Sequence, residues 1–159
     1  MKGALLGLII VVFGIFVYYS AFKGMVLLFL LPVIILLTGL WYVVSFVVTR
    51  KMVVKGRGVD DFWYHRCSYV KPGGVDMVPG ALAVTDKEIV FYARKSSLGG
   101  VAPAWSCFTP EIESYNLGKV DEHHKGLELS LTGGISGVKF VTSKLQDKEG
   151  EFRKALGWD

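Results

Sequence analysis

Two long apolar runs at the start of the chain constrain its fold more than any other feature. The first, Gly3–Phe22, is twenty residues without a charge, and the second, Gly24–Thr49, is twenty-six. Lys23 alone separates them. At about 1.5 Å of rise per residue these runs would form helices of about 30 and 39 Å, against a hydrocarbon core of about 30 Å. The sequence therefore predicts a transmembrane hairpin of two helices over residues 1–49.

Two other interpretations fit these runs less well. A secretory signal peptide would end in small residues at its cleavage site, whereas the first run ends in the bulky sequence Tyr18-Tyr19-Ser20-Ala21-Phe22. A helix pair in a soluble core would need a larger domain to cover it, since both runs are apolar on every side. Neither run contains Asp, Glu, Lys, Arg or His, so transport by this chain alone is not expected.

Three glycines of the first run, Gly3, Gly7 and Gly14, fall close to one helical face. A strip of this kind lets another helix approach closely. The partner would be the second helix of the same chain, a further copy or a different membrane subunit, and the sequence leaves these alternatives open.

Positive charge is concentrated directly after the second run. Residues 50–57 carry four bases and no acid, namely Arg50, Lys51, Lys55 and Arg57. Bases that flank a span favour the cytoplasmic side. We therefore expect an integral protein of the cell or inner membrane with both termini and the soluble domain in the cytoplasm.

The rest of the chain has a different charge balance. Six of the 18 bases precede Gly58, so 12 bases and all 14 acids follow it. This slightly acidic remainder argues against nucleic-acid binding, which relies on neutralising phosphates. The two cysteines, Cys67 and Cys107, are too few for a disulfide framework and are expected to be free thiols.

From residue 59 onward, apolar and polar residues alternate in short segments between turn residues, as in an antiparallel sheet. About seven strands are predicted: Phe62–Val70, Ala81–Thr85, Glu88–Arg94, Trp105–Thr109, Ile112–Leu117, Leu127–Leu131 and Val138–Thr142. Ser143 and Gln146 resemble a capping box, and Gly157 stands where a C-terminal cap belongs, so an amphipathic helix should close the chain.

The predicted fold class is thus an α-helical transmembrane hairpin plus an α+β domain, in which a strongly bent antiparallel sheet is capped by a C-terminal helix. The predicted divisions are residues 1–49 for the hairpin, 50–58 for a basic juxtamembrane linker and 59–159 for the soluble domain.

The run from Gly80 to Arg94 resembles the signature hairpin of GRAM and bacterial pleckstrin-homology-like (PH-like) domains. A glycine opens one strand, Thr85-Asp86 makes the turn, and an apolar and aromatic strand follows. The segment Pro110-Glu111-Ile112-Glu113-Ser114 is similar to a later strand of that family. The resemblance covers most of residues 60–157. It implies a PH-like fold and a module that binds lipids, peptides or its own copies, with no enzymatic activity.

Relatives that bind phosphoinositides place several bases around the loop joining the first two strands. Here that loop, Lys71–Pro79, offers one lysine and the acid Asp76. The candidate lipid or partner contacts are the basic residues Arg50, Lys51, Lys55, Arg57, Lys71, Arg94 and Lys95.

No catalytic residue, metal site or cofactor is predicted. His65 and Cys67 are two residues apart on one face of a strand, but zinc requires three or four convergent ligands, and the spacing of the other histidines does not supply them. The glycine pairs lack the following helix and lysine of a phosphate-binding loop.

We expect a non-enzymatic, membrane-anchored PH-like binding module that acts as an adaptor or scaffold at the inner membrane surface. One alternative is an accessory subunit of a larger membrane complex that packs through its transmembrane hairpin. A further alternative is recognition of anionic lipid headgroups. The expected partners are membrane lipids together with a protein partner or further copies of the chain.

Overall fold

The computed structural model describes residues 12–18, 27–74, 76–96, 99–133, 137–142 and 144–158. The chain divides into two compact units, Met1–Val43 and Val44–Asp159. The first unit is helical where it is described, and the second is built around one antiparallel sheet.

The longest helix, α1, spans Leu27–Phe46 and contains Pro32. Among the described residues, one helical span meets the length and apolarity needed to cross a membrane, and it runs from Pro32 to Arg57 with a short break after Phe46. Only 6% of its most apolar window is buried, whereas a helix in a soluble core is mostly buried. Signal sequences near an amino terminus meet the same criteria of length and apolarity. The finding is therefore that this helix is long and apolar enough to cross a membrane.

The predicted two-helix transmembrane hairpin is wrong, because the described part of the chain holds one span of sufficient length. Of the first apolar run, residues 12–18 are helical. The rest of Gly3–Phe22, including Gly3 and Gly7, lies outside the described residues. The class of the chain is therefore mainly a sheet domain that carries one long apolar helix.

The second predicted helix ends at Phe46, three residues earlier than expected. The Arg94 Nε donates a hydrogen bond to the Val47 carbonyl at 3.1 Å. The Tyr64 hydroxyl donates to the Val48 carbonyl at 2.6 Å. Side chains of the sheet thus satisfy the Val47 and Val48 carbonyls. Because these carbonyls do not need a helical N–H four residues later, the helix ends before them, at Phe46.

In the described part of the chain, seven strands form a single sheet. In chain order they are β1 Trp63–Val70, β2 Met77–Val84, β3 Glu88–Arg94, β4 Val101–Phe108, β5 Ile112–Lys119, β6 Lys125–Leu131 and β7 Val138–Val141. Every pairing is antiparallel, and the spatial order is β4-β3-β2-β1-β7-β6-β5. The two edge strands, β4 and β5, are consecutive in sequence and are joined by a 3-10 turn at Thr109–Glu111.

The sheet is strongly bent. Trp105 on β4 and Phe140 on β7 are four strand positions apart, which in a flat sheet would separate them by about 19 Å. Their ring centroids lie 5.4 Å apart. The two halves of the sheet therefore face each other, and the inner core draws buried side chains from all seven strands.

Each predicted strand overlaps an observed one, but three begin earlier than expected: β6 begins two residues earlier, at Lys125, and β2 and β4 begin four residues earlier. β2 starts at Met77, where its first residues pair with the end of β1. β4 starts at Val101, where its first residues pair with the end of β3. The first residues of β2 and β4 resembled loops in the sequence because they contain Pro79 and Pro103. Proline is nevertheless tolerated in strands at edges and at irregular positions.

The hairpin of β2 and β3 forms as the sequence predicts. The Thr85 hydroxyl accepts a hydrogen bond from the Glu88 N–H at 3.1 Å, which holds the two-residue turn between them. Gly80 is required by close packing, because a Cβ there would lie 2.2 Å from the Tyr92 carbonyl oxygen and 2.5 Å from the Phe91 ring.

Residues Arg50–Arg57, predicted as part of a linker, form a short helix, α2. This helix packs on the outer face of the sheet, where Val53 is fully buried in a second apolar cluster with Phe62. Ala81 and Ala83 of β2 point to this outer face and are also fully buried. Because their side chains are small, the helix can approach the strand closely.

A C-terminal helix, α3, spans Glu149–Ala155 and plugs one end of the bent sheet. Phe152 is fully buried, and its ring centroid lies 5.5 Å from that of Trp63 and 5.3 Å from that of Tyr115. Leu156 completes the buried face of the helix.

The predicted C-terminal cap of this helix is confirmed. Gly157 has a φ of 70°, its N–H donates to the Lys154 carbonyl at 3.1 Å, and the Trp158 N–H donates to the Arg153 carbonyl at 3.0 Å. This bonding pattern satisfies the last carbonyls of the helix. The helix begins at Glu149, later than expected, and the predicted capping residue Ser143 lies outside the described residues.

If α2 is an integral part of the sheet domain, replacing Val53 by alanine should lower the free energy of unfolding by about 2 kcal/mol, since it removes buried methyl groups and leaves a cavity. The measurement is chemical unfolding of the full chain in mild detergent, followed by near-ultraviolet circular dichroism. Val59→Ala is the matched control, because Val59 is 51% exposed. Equal stability of the two variants would contradict the docking of α2.

Candidate functional site

The end of the bent sheet that α3 leaves open carries a groove of about 650 Å³. α3 packs on Trp63 at the start of β1, whereas the groove lies at the other end of this strand, where Tyr69 leads into the connection to β2. A groove of this volume is in the range that holds small ligands or a few side chains of a peptide. Its lining includes the residues Tyr69, Lys71, Trp105, Glu111, Val138 and Lys139.

Aromatic rings form one wall of this groove. Tyr69 and Trp105 stack with ring centroids 6.4 Å apart. Behind them lies the fully buried Phe140, whose centroid is 5.6 Å from that of Tyr69 and 5.4 Å from that of Trp105. Because Phe140 fixes both rings from behind, the wall is a preorganised surface for an apolar or planar group.

The two lysines that line the groove, Lys71 and Lys139, each lie beside an acidic side chain. Lys71 lies 3.3 Å from the Asp76 carboxylate. The Lys139 ammonium lies 3.6 Å from the Glu128 carboxylate and donates to the Val120 carbonyl. The groove therefore does not present a set of converging free cations among the described residues, as a ligand with several phosphates would require.

Three of the predicted contact residues are arginines whose side chains form hydrogen bonds or ion pairs within the protein. Arg57 forms an ion pair with Glu88 at 2.6 Å, and its side chain is only 15% exposed. Arg50 donates to the Asp60 carbonyl at 2.9 Å. Both guanidinium groups lie over the Phe62 ring, at 5.4 Å for Arg50 and 5.8 Å for Arg57.

The third, Arg94, donates to the Val47 carbonyl at 3.1 Å and to the Gly99 carbonyl at 3.0 Å. It therefore joins the segment before α2 to the connection between β3 and β4. These three arginines tie chain segments to the sheet, and their guanidinium groups are not available as a joint binding site.

The predicted lysines remain at the surface. Lys51 and Lys55 lie one turn apart on α2 and are exposed, beside a shallow hollow of about 540 Å³ that Val54 also lines. Lys95 is exposed after β3, and Lys71 is exposed at the groove. The predicted set is thus divided between α2, the groove and the connection between β3 and β4.

Of the glycines predicted to pack against another helix, Gly14 is described. It lies in the helical residues 12–18, and a Cβ placed there would have no neighbour within 4 Å. Gly3 and Gly7 lie outside the described residues.

The two cysteines are buried and free. Burial raises the pKa of the Cys67 thiol far above its ordinary range. Burial, with a smaller effect of the nearby Glu111 charge, raises the pKa of Cys107 to about 12. Neither thiol is therefore a nucleophile at neutral pH. Among the described residues, no three His, Cys, Asp or Glu side chains are arranged to hold a metal ion.

His65 is also a core residue. Its Nε2 lies 2.8 Å from the Thr142 hydroxyl, and its ring stacks on Trp63 at 5.4 Å. Burial, helped by the nearby Lys148 charge, lowers the pKa of His65 below its ordinary value of 6.5, while Glu151 opposes this effect. The neutral imidazole is therefore the form that the fold favours.

The groove was not predicted from the sequence. Trp105 was expected at the start of a strand, with no role in a site, whereas the residue lies half-buried within β4 and packs against Phe140. The available signal was a large aromatic residue on each of two predicted strands, Tyr69 and Trp105. Their proximity depends on the bend of the sheet, which alternation along a strand does not reveal.

The lowered pKa of His65 predicts that acid destabilises the fold. The unfolded chain takes up a proton near pH 6.5, whereas the folded chain takes it up only at lower pH. The stabilisation is therefore complete above pH 6.5 and is lost as the pH falls below it. The measurement is the free energy of unfolding of the full chain between pH 7.5 and 5.

His65→Gln should reduce this pH dependence, because it removes the buried titrating group while keeping a polar partner for Thr142. His123→Gln, at an exposed position, is the control for loss of an imidazole. An unchanged slope in His65→Gln would show that His65 does not cause the acid sensitivity.

No protein-family model matches the sequence, and no curated protein matches it. Among solved structures, the chain is similar to the C-terminal domain of an unknown protein from Leishmania infantum, with a TM-score of 0.46 and 16% sequence identity. That match covers 67% of this chain and 93% of the other.

Proposed function

We propose that this protein is a non-enzymatic, membrane-anchored binding module with a PH-like sheet domain, acting as an adaptor or scaffold. The groove at the open end of the sheet would hold a short protein segment that inserts an apolar or aromatic side chain. The observation that carries this proposal is the aromatic wall formed by Tyr69 and Trp105.

The aromatic wall favours a side chain of a protein segment as the ligand. Tyr69 and Trp105 give a rigid apolar contact surface, and such residues are enriched where proteins bind one another. Polar groups at the rim, including Lys71 and Glu111, can contact the backbone or a charged neighbour of the inserted residue. This combination of an apolar wall and a few polar groups is typical of peptide and ligand sites.

The arrangement of the basic side chains favours a protein segment over a phosphorylated lipid headgroup as the ligand. Arg50, Arg57 and Arg94 are held by internal contacts. Lys71 has an acidic neighbour at 3.3 Å. Because multiply charged phosphates are recognised by clustered free cations, the lipid alternative keeps only the exposed pair Lys51 and Lys55 of α2 and the separate Lys95 after β3.

The apolar helix supports the anchoring part of the proposal. Its most apolar window is almost wholly uncovered by protein, as a membrane span requires. The four bases at residues 50–57 favour the cytoplasmic side for the sheet domain. The expectation that the amino terminus lies on the same side depended on a second span, and it is withdrawn with the hairpin.

The alternative of an accessory subunit has one supporting observation. Gly14 leaves an open position on an exposed helical surface, where a helix of another protein could approach. This alternative predicts that a partner binds through the first unit, whereas the adaptor proposal predicts binding through the groove.

The proposal is tested by selecting peptides from a displayed random library against the full chain in mild detergent. We expect selected peptides to share an apolar or aromatic residue. Lys71→Cys, labelled with a bulky maleimide, should bind them at least tenfold more weakly, because the label occupies the groove. The native thiols are buried and should not react.

Labelled Lys87→Cys is the matched control, because Lys87 is exposed in the turn between β2 and β3, away from the groove. Trp105→Ala should likewise weaken binding, whereas Phe108→Ala, on the same strand and 64% exposed, should not. Peptides that bind labelled Lys71→Cys as well as the control, or a library that yields no binder, would overturn the proposal.

A further inference from the structure

The outer edge of β4 runs along the candidate groove. Three consecutive residues of this edge strand, Trp105, Ser106 and Cys107, line the groove. Trp105 and Cys107 pack in the inner core, whereas Ser106 is exposed on the other face of the strand. A segment bound in the groove therefore lies beside the backbone of β4 as well as its side chains.

Backbone hydrogen bonds show which groups of β4 face this outer edge. The Thr109 N–H, directly after the strand, donates to the Lys87 carbonyl at 2.8 Å. Hydrogen-bonded pairs recur at every second residue, and the register of β4 with β3 is unbroken over residues 105–108. Ser106 and Phe108 therefore direct their N–H and C=O groups away from β3, to the outer edge.

This edge is closed on both sides of Ser106. On one side, the Phe108 N–H donates to the Glu111 carboxylate at 2.9 Å, which also confirms that this N–H does not face β3. On the other side, Pro103 has no backbone N–H to donate. Among the described residues, no backbone group bonds to Ser106 on its outer side. The open part of the edge thus coincides with the part that lines the groove.

A free N–H and C=O on one residue of an edge strand are complementary to one residue of an extended chain. In an antiparallel pair, two opposed residues exchange both hydrogen bonds, and their side chains lie on the same face of the sheet. The residue opposite Ser106 would therefore point outward, and the residues opposite Trp105 and Cys107 would point into the groove. A helical segment cannot pair in this way, because its interior N–H and C=O groups bond to one another.

Charge adds a second requirement for the ligand. Lys71 and Lys139 lie beside acidic side chains, so the bases that line the groove are already balanced. Glu111 also lines the groove and is exposed, but it forms no ion pair among the described residues. Its hydrogen bond with the Phe108 N–H holds the carboxylate at the open edge. A lysine or arginine of the bound segment would complement this charge.

We propose that the groove binds an extended, basic segment of another protein by strand addition to β4. One residue of the segment pairs antiparallel with Ser106, and an adjacent residue places an apolar side chain against Trp105. A nearby lysine or arginine of the segment faces Glu111. This inference rests on the proposed function, and it specifies the backbone conformation and the charge of the ligand.

The first test is a scan of backbone N-methylation on a peptide selected against the groove, with binding to the full chain measured in mild detergent. Methylation of the N–H that pairs with the Ser106 carbonyl should weaken binding roughly tenfold, because it removes a hydrogen bond and separates the strands. Methylation of either adjacent N–H, which points away from β4, should weaken binding by less than about threefold. The expected result is a sensitive position flanked by tolerant ones.

The second test removes the backbone donor of Ser106 from the protein. Ser106→Pro deletes this N–H, and proline is tolerated in an edge strand where the N–H faces solvent. Peptide binding should fall roughly tenfold relative to Ser106→Ala, the matched control that loses the hydroxyl and keeps the N–H. If circular dichroism shows that Ser106→Pro does not fold, the methylation scan decides.

The third test removes the charge of Glu111. In Glu111→Gln the side-chain oxygen can still accept from the Phe108 N–H, so the edge stays closed there. The selected peptides should carry a lysine or arginine, and they should bind Glu111→Gln several-fold more weakly and with less dependence on salt. Glu113→Gln, an exposed position outside the groove, is the control.

The outcomes separate this inference from the proposed function. Peptides that the label on Lys71→Cys displaces, but that show no alternation in the scan or bind Ser106→Pro and Ser106→Ala equally, would overturn strand addition alone. Equal binding to Glu111→Gln and Glu113→Gln would overturn the requirement for a basic segment. Peptides that ignore the label would overturn the proposed function and this inference with it.

Discussion

The packing of α2 on the outer face of the sheet is the interaction on which the domain is organised. Val53 is fully buried in it, and Arg57 is tied to Glu88 at 2.6 Å beside it. An antiparallel sheet usually exposes one face to water. Here the segment that follows the apolar helix covers that face, so Ala81 and Ala83 are buried on the outer side of β2 while their neighbours are buried on the inner side.

The bend of the sheet supplies the second constraint. It brings side chains that are far apart in the strand order into one core, as the contact of Trp105 with Phe140 shows. One end of this bent sheet is closed by Phe152 of α3. The other end has no corresponding helix among the described residues, and the groove with its aromatic wall lies there. The candidate site is therefore a consequence of how the sheet is closed, and it does not come from a motif.

Three arginines, Arg50, Arg57 and Arg94, fix chain segments to the sheet domain through their charged groups. The bases after the apolar helix look like a solvent-exposed cluster, but Arg50 and Arg57 lie over the Phe62 ring and bond to the sheet domain. Arg94 holds the Val47 carbonyl in the same way. An arginine can do this because its planar group stacks on a ring and donates several hydrogen bonds at once. The lysines, which lack this geometry, stay in solvent.

Local sequence determined the parts of this protein that depend on near neighbours. Alternation located the seven strands, Thr85 fixed the hairpin turn, and Gly157 fixed the end of α3, since each signal acts within a few residues. Hydropathy located the apolar helix but overstated it as a hairpin, because the described residues hold one span of sufficient length and apolarity alone does not establish a second. The role of Arg57, the groove beside Trp105 and the open edge of β4 at Ser106 were decided by tertiary structure, because each depends on residues that only the bent sheet brings together or leaves apart.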